Sequence, residues 1–116
     1  MRQIVREYRA QYTDPIDAAS GTILQVGRQD AEMPGWWWCT APDGRSGWVP
    51  QELLDRTIGG ARAALRRAYT ARELTVERGE TVAVKDERRG WMFVRNAAGA
   101  SGWVPSTHVA DTGEGA

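Results

Sequence analysis

The chain has 116 residues, and its 15 basic side chains balance its 15 acidic ones, so the formal net charge at pH 7 is zero. A chain of this length forms one ordinary domain or two very small ones. A neutral chain is also not an obvious binder of polyanions.

Short strands separated by turn signals are predicted along the whole chain. Branched residues and alternating polarity predict them, and Asp43-Gly44 supplies the positive φ that a tight hairpin turn requires. Proline ends two of the strands because it cannot donate to a sheet. In chain order, we expect strands at 22–26, 36–40 and 46–49 (ended by Pro50), a strand at 61–67, and strands at 80–85, 91–96 and 101–104 (ended by Pro105), with a loop at 86–89 and a turn at 97–99.

One pattern occurs twice. Gly35-Trp36-Trp37-Trp38-Cys39 followed by Gly44-Arg45-Ser46-Gly47-Trp48-Val49-Pro50 returns 55 residues later, as Gly90–Val94 followed by Gly99–Pro105. A fixed-period repeat predicts two similar structural units. We therefore predict an all-β protein of two small five-stranded barrels in tandem. The predicted boundaries are domain 1 at 1–56, a linker at 57–61, domain 2 at 62–110 and a disordered tail at 111–116.

The segment 61–67 contains good helix formers, but the repeat makes it the first strand of the second domain. The two halves also differ in charge. Residues 1–55 carry five basic and eight acidic side chains, and residues 56–116 carry ten and seven. This asymmetry favours either docking between the halves or a separate acidic partner.

The order Gly-Trp, seven residues, Gly-x-x-Gly-Trp-Val-Pro resembles the SH3 fold, here as a tandem pair. In the second copy, Glu73–Glu80 and Gly102–Val109 are similar to two of the family's characteristic segments. The first copy, with Tyr12–Ile16 and Pro34–Cys39, resembles a variant SH3 form familiar from bacteria. The resemblance covers about 3–56 and 62–110.

The resemblance implies a non-catalytic module that binds an extended, proline-containing or otherwise apolar peptide segment of a protein partner. Trp36 and Trp91 stand where the family has its groove tryptophan, and such grooves accept the preformed polyproline II helix. We expect the first copy to be the main site, because it keeps two tyrosines and two acids, whereas the loop at 70–73 of the second is unusually short. The implied ligand-binding residues are Tyr8, Tyr12, Asp14, Asp17, Trp36, Pro50, Leu53, Tyr69, Trp91, Pro105 and His108.

Two aromatic residues suggest an alternative. Trp38 and Phe93 lie two residues beyond the groove tryptophans and so share their strand face. An aromatic at both positions indicates either a wider binding face or an interface, and we favour an interface. The alternative function is therefore a structural or assembly protein with vestigial grooves, whose domains pack on each other or on a second copy.

Other function classes find little support. No Ser-His-Asp or Cys-His set, phosphate-cradling glycine loop or metal constellation is visible, so we expect no enzyme activity, no cofactor and no metal. Arginines such as Arg66 and Arg67 are interleaved with acids, which disfavours nucleic acid. The lone Cys39 and the absence of a signal-like or membrane-spanning apolar run predict a cytoplasmic protein without membrane contact, and Cys39 itself is expected in the core.

Overall fold

The computed structural model describes residues 1–12 and 14–111. Most of the predicted tail at 111–116 lies outside the described residues. The strands are β1 (Arg2–Gln3), β2 (Asp17–Ala18), β3 (Ile23–Gln29), β4 (Trp36–Thr40), β5 (Ser46–Pro50), β6 (Leu54–Asp55), β7 (Arg62–Leu65), β8 (Tyr69–Thr70), β9 (Thr81–Arg88), β10 (Trp91–Arg95) and β11 (Ser101–Pro105). Two single-turn 3-10 helices, Gln51–Leu53 and Ser106–His108, follow the two prolines.

The all-β prediction is confirmed, and the predicted strands agree with the observed ones to within a few residues. The main difference is that the predicted loop at 86–89 belongs largely to β9, which continues to Arg88. The chain reverses instead at Arg89 and Gly90, both with positive φ. The sheets are open rather than fully hydrogen-bonded barrels.

The described chain forms two compact units whose limits do not follow the predicted domain boundaries. Unit 1 contains Met1–Thr13 and Arg72–Ala116, and unit 2 contains Asp14–Ala71. Each repeat therefore contributes its opening segment to the unit built mainly from the other repeat.

Unit 1 is built on a four-stranded antiparallel sheet in the order β1-β9-β10-β11. The opening segment of the chain completes it through the Arg2–Val82 pairing and through bridges from Ile4 to Val109 and from Tyr8 to Val76. Its core is a cluster of buried apolar side chains from the opening segment and from the second repeat: Ile4, Leu74, Val76, Val82, Met92, Val94, Val104 and Val109.

Unit 2 contains a five-stranded sheet in the order β5-β4-β3-β7-β6 and a two-stranded sheet of β2 and β8. The segment at 61–67 is a strand, as predicted, but β7 pairs with β3 of the first repeat, with Leu24 opposite Ala63. Tyr69 in β8 lies opposite Ala18 in β2. Six of its fully or almost fully buried apolar residues are Ile16, Leu24, Cys39, Val49, Leu54 and Leu65.

The short loop at 70–73 explains this exchange of opening strands. β8 ends at Thr70, and Glu73 already pairs with Trp103, so only Ala71 and Arg72 lie between them. A two-residue hairpin turn needs positive φ, which glycine and asparagine adopt most readily. Neither Ala71 nor Arg72 has positive φ. The chain therefore continues from unit 2 into unit 1 instead of folding back on its own repeat.

The exchange also removes most of the charge asymmetry between the repeats. By sequence, unit 1 contains nine basic and eight acidic side chains, and unit 2 contains six and seven. The charge difference noted between residues 1–55 and 56–116 therefore does not describe the folded units, and it no longer supports docking through opposite net charges.

Candidate functional site

The repeated Gly-Trp-Val-Pro segments are held in place by a close backbone approach. A Cβ atom on Gly102 would lie 2.7 Å from the carbonyl carbon of Glu73. On Gly47 it would lie 2.7 Å from the Cβ of Ala71. Real Cβ atoms essentially never come this close, so glycine lets the crossing segment lie against the strand. The same approach brings Glu73 beside Trp103, through a parallel bridge.

Unit 1 presents three rings in a row, which we call the aromatic row: Trp91, Tyr8 and His108. The centroids of Tyr8 and Trp91 are 5.8 Å apart, and those of Tyr8 and His108 are 5.6 Å apart, both edge to face. All three side chains are only partly buried. Trp91 begins β10 directly opposite Pro105, which is also partly buried. The row and Pro105 therefore form an accessible aromatic surface.

Two polar contacts fix the aromatic row. The Tyr8 hydroxyl donates to Oε1 of Glu73 at 2.9 Å, and the same oxygen accepts from the backbone N–H of Gln11 at 2.7 Å. Burial, together with the Glu73 carboxylate, raises the pKa of Tyr8, so its hydroxyl stays protonated. Nδ1 of His108 lies 3.0 Å from the backbone oxygen of Glu7.

The corresponding residues of unit 2 are closed off. Trp36 is 5% exposed, Leu53 5% and Tyr69 8%, and Pro50 is fully buried. The Tyr69 hydroxyl donates to the backbone oxygen of Trp48 at 2.8 Å. These residues are of the types that line an SH3 groove, but they are buried like core residues.

The residues expected to form one groove in the first repeat are divided between the units. Tyr8 and Tyr12 belong to unit 1, whereas Trp36 and Pro50 belong to unit 2. The exchange of opening strands is the cause, and it joins Tyr8 to Trp91 and His108 instead. Tyr69, the counterpart of Tyr8, lies with Trp36 in unit 2.

Both acids among the implied ligand-binding residues, Asp14 and Asp17, lie in unit 2. Asp14 pairs with Arg45, with 3.2 Å between Oδ1 and Nε, and Asp17 lies in β2 opposite Thr70. The acid in contact with the aromatic row is Glu73. Sequence reasoning missed this role because Glu73 was matched only to a family segment, and its contact depends on Tyr8, 65 residues away.

Trp38 and Phe93 each pack edge to face on the second tryptophan of their repeat. The ring centroids are 5.1 Å apart for Trp38 and Trp48, and 5.2 Å apart for Phe93 and Trp103. In unit 2, the guanidinium of Arg28 also lies over both Trp38 and Trp48. These contacts account for part of each ring's surface, and the predicted interface role stays a prediction.

Cys39 is fully buried, and burial raises the pKa of its thiol to about 12. It lies in the core, as expected, and is not a candidate nucleophile. Within residues 1–12 and 14–111, no group of three or more His, Cys, Asp or Glu side chains is placed to hold a metal ion. No helix in the same part of the chain is long and apolar enough to cross a membrane.

The family model for the variant SH3 domain matches the chain at residues 3–55 and again at 66–111. The chain is also 46% identical over 39 residues to mouse (Mus musculus) epidermal growth factor receptor kinase substrate 8-like protein 3. That match covers 34% of this chain and 6% of the mouse protein, so the chain spans a small part of that relative. No solved structure matches significantly. The family match covers most of the chain, and the protein therefore belongs to the SH3 family, as two sequence copies of the variant SH3 domain.

Proposed function

We propose that this chain binds an extended peptide segment of a partner protein on the aromatic row of unit 1. SH3 domains are in general non-catalytic modules for protein interaction. Within that class, the observation that carries the proposal is the partly exposed row of Trp91, Tyr8 and His108 beside Pro105. Flat rings and a proline form slots for an extended chain, and a ligand with polyproline II conformation loses little entropy on binding.

Unit 2 has a structural role in this proposal. Its groove residues Trp36, Leu53 and Tyr69 are buried, so a ligand would have to displace packed side chains to reach them. This burial supports the alternative function, an assembly role with a vestigial groove, for unit 2 alone. A single open groove gives a modest affinity, because a short peptide buries little surface and must be ordered on binding.

The test compares two tryptophans at the same repeat position. A library of proline-containing peptides is titrated into the protein while the six indole N–H signals are followed by NMR. We expect the Trp91 signal to shift and the Trp36 signal to stay. Trp91→Ala should weaken binding at least tenfold and leave the fold intact, since hot-spot aromatics carry most of the energy at such sites.

Trp36→Ala is the matched control, and it should reduce stability by about 3–5 kcal/mol because it empties a buried site. Under conditions where the variant is still folded, its peptide affinity should be unchanged. The proposal is wrong if no peptide shifts the Trp91 signal. It is also wrong if Trp91→Ala binds as well as the unmodified chain.

A further inference from the structure

The polar groups around the aromatic row have a consistent hydrogen-bonding character. Because the Tyr8 hydroxyl proton is committed to Glu73, its oxygen can offer a ligand only lone pairs. The Glu73 carboxylate is likewise an acceptor. The polar side-chain groups of Tyr8 and Glu73 can therefore only accept hydrogen bonds from a ligand. The indole N–H of Trp91 is a donor.

His108 adds to this character through its tautomer. A backbone oxygen only accepts, so the 3.0 Å contact with Glu7 requires the proton of the neutral ring to be on Nδ1. Nε2 then carries a lone pair, and this atom has no hydrogen-bond partner among the described residues. A neutral His108 is thus an acceptor at the end of the row, and a protonated one becomes a donor there.

We infer that His108 determines the ligand specificity of unit 1. At neutral pH it selects a segment that presents a donor, such as a backbone N–H or a lysine or arginine side chain. An all-proline segment has no backbone N–H and offers only carbonyl oxygens, so neutral Nε2 disfavours it. Protonation of His108 reverses this preference. The inference rests on the proposed peptide binding by the aromatic row.

The charged groups on the surrounding segments leave this assignment intact. The opening segment carries Arg2, Arg6 and Glu7, with the Glu7 carboxylate 3.8 Å from Arg9. Glu87 accepts a hydrogen bond from Ser106, two residues before His108, at 3.4 Å. Histidine is the side chain whose unperturbed charge change falls between about pH 5 and 8. A pH effect with an uncharged ligand over that interval therefore reports on the histidine.

The test uses decaproline with blocked termini, which has no charge and no backbone N–H donor within its proline run. Its affinity for the full chain is measured by calorimetry at about pH 7.5 and about pH 5.5, the range in which histidine titrates. We expect binding to be about tenfold tighter at the lower pH, since a hydrogen bond from a charged donor replaces an acceptor–acceptor contact. A second set of peptides carries a single alanine in place of each proline in turn, so each of them restores one backbone N–H. One of these replacements should remove the tighter binding at the lower pH, since neutral Nε2 accepts from its N–H.

Two variants keep an aromatic ring at position 108. His108→Tyr supplies a hydroxyl donor at both pH values, so it should bind decaproline tightly without pH dependence. His108→Phe should bind weakly at both. The inference is overturned if the unmodified chain binds decaproline equally at both pH values, or if His108→Phe keeps the pH dependence. If neither peptide binds at either pH, the proposed peptide binding by the aromatic row fails as well.

Discussion

Units 1 and 2 carry the same repeated motif but expose it differently. In unit 1, Trp91 and Tyr8 are partly exposed and meet edge to face. In unit 2, their counterparts Trp36 and Tyr69 are buried. The contrast shows that the sequence motif specifies which residues could form a groove. Whether the groove is open depends on how the rest of the chain packs around those residues. Of these two matched pairs, only the one in unit 1 is accessible.

The comparison also separates a sequence repeat from a folded unit. The family matches at 3–55 and 66–111 follow the repeats, but each unit takes its opening strand from the other copy. A substitution in the opening segment of one repeat should therefore change the stability of the unit that contains the other repeat's tryptophans.

The largest effect is expected from truncating the exchanged strands. Ile4 is 1% exposed and Leu65 2% exposed, in units 1 and 2 respectively. Ile4→Ala and Leu65→Ala should each reduce stability by about 2–5 kcal/mol, through lost burial and the cavity left behind. Amide hydrogen exchange should show the loss of protection at Met92 and Val94 for Ile4→Ala, and at Leu24 and Cys39 for Leu65→Ala.

Val5→Ala is the control for these truncations, because Val5 is 48% exposed and its loss should change stability by less than about 0.5 kcal/mol. If Ile4→Ala instead loosened the strand with Cys39, the opening segment would lie in the unit of its own repeat, and the exchange would be refuted.

A smaller loss is expected where the crossing segments touch the repeated glycines. Gly102→Ala and Gly47→Ala should each cost about 1–3 kcal/mol, as other overpacked substitutions do. Gly102→Ala should be the worse of the two, since its Cβ meets backbone atoms of Glu73 and Leu74, whereas Gly47 meets the Ala71 side chain. Urea denaturation gives both values, with the exposed turn variant Ala98→Ser as a neutral control. Two unaffected glycine variants would contradict the close approach.

Removing the two equivalent hydroxyl groups should separate a structural from a functional tyrosine. Tyr69→Phe removes a hydroxyl that donates to the Trp48 backbone oxygen in a partly buried setting, which should cost about 1–2 kcal/mol. Tyr8→Phe should cost less, because Glu73 keeps its bond from Gln11. It should instead alter peptide affinity, measured by titration. Equal stability losses in both variants would mean that the two units do not differ as described.

The smallest effect near neutral pH concerns Cys39. Its pKa is raised from 9.0 to about 12 by burial, so the folded state holds the thiol proton more tightly than the unfolded state does. The stability contributed by the neutral thiol is complete below about pH 9 and is lost as the pH rises towards 12. Cys39→Ala should lessen this alkaline loss in unit 2. An unchanged pH profile from about pH 8 to 11 would contradict the burial of the thiol.

Sequence reasoning predicted the strands well because their signals are local. Asp43-Gly44, the alternating polarity and the ending prolines act within a few residues, and Trp36–Thr40 was predicted with its observed bounds. The grouping of strands could not be predicted in the same way. The short loop at 70–73 was visible, but it was interpreted as a weaker groove rather than as a crossing segment.

The candidate site changed for the same reason. Tyr8 and Trp91 were both predicted as ligand-binding residues, but in different grooves, and only the exchange brings them to 5.8 Å. Trp36 was predicted at an open surface because the motif alone carries no information on burial. Glu73 is held by contacts with Tyr8 and Gln11, which lie more than 60 residues away in the sequence.

The exchange of opening strands is tested most directly by nuclear Overhauser contacts of Tyr8 in the full chain. The structure predicts backbone contacts between Tyr8 and Val76, and ring contacts between Tyr8 and both Trp91 and His108. Contacts from Tyr8 to Ala18 and to the ring of Trp36, in place of these, would place the opening strand in its own repeat and contradict the exchange.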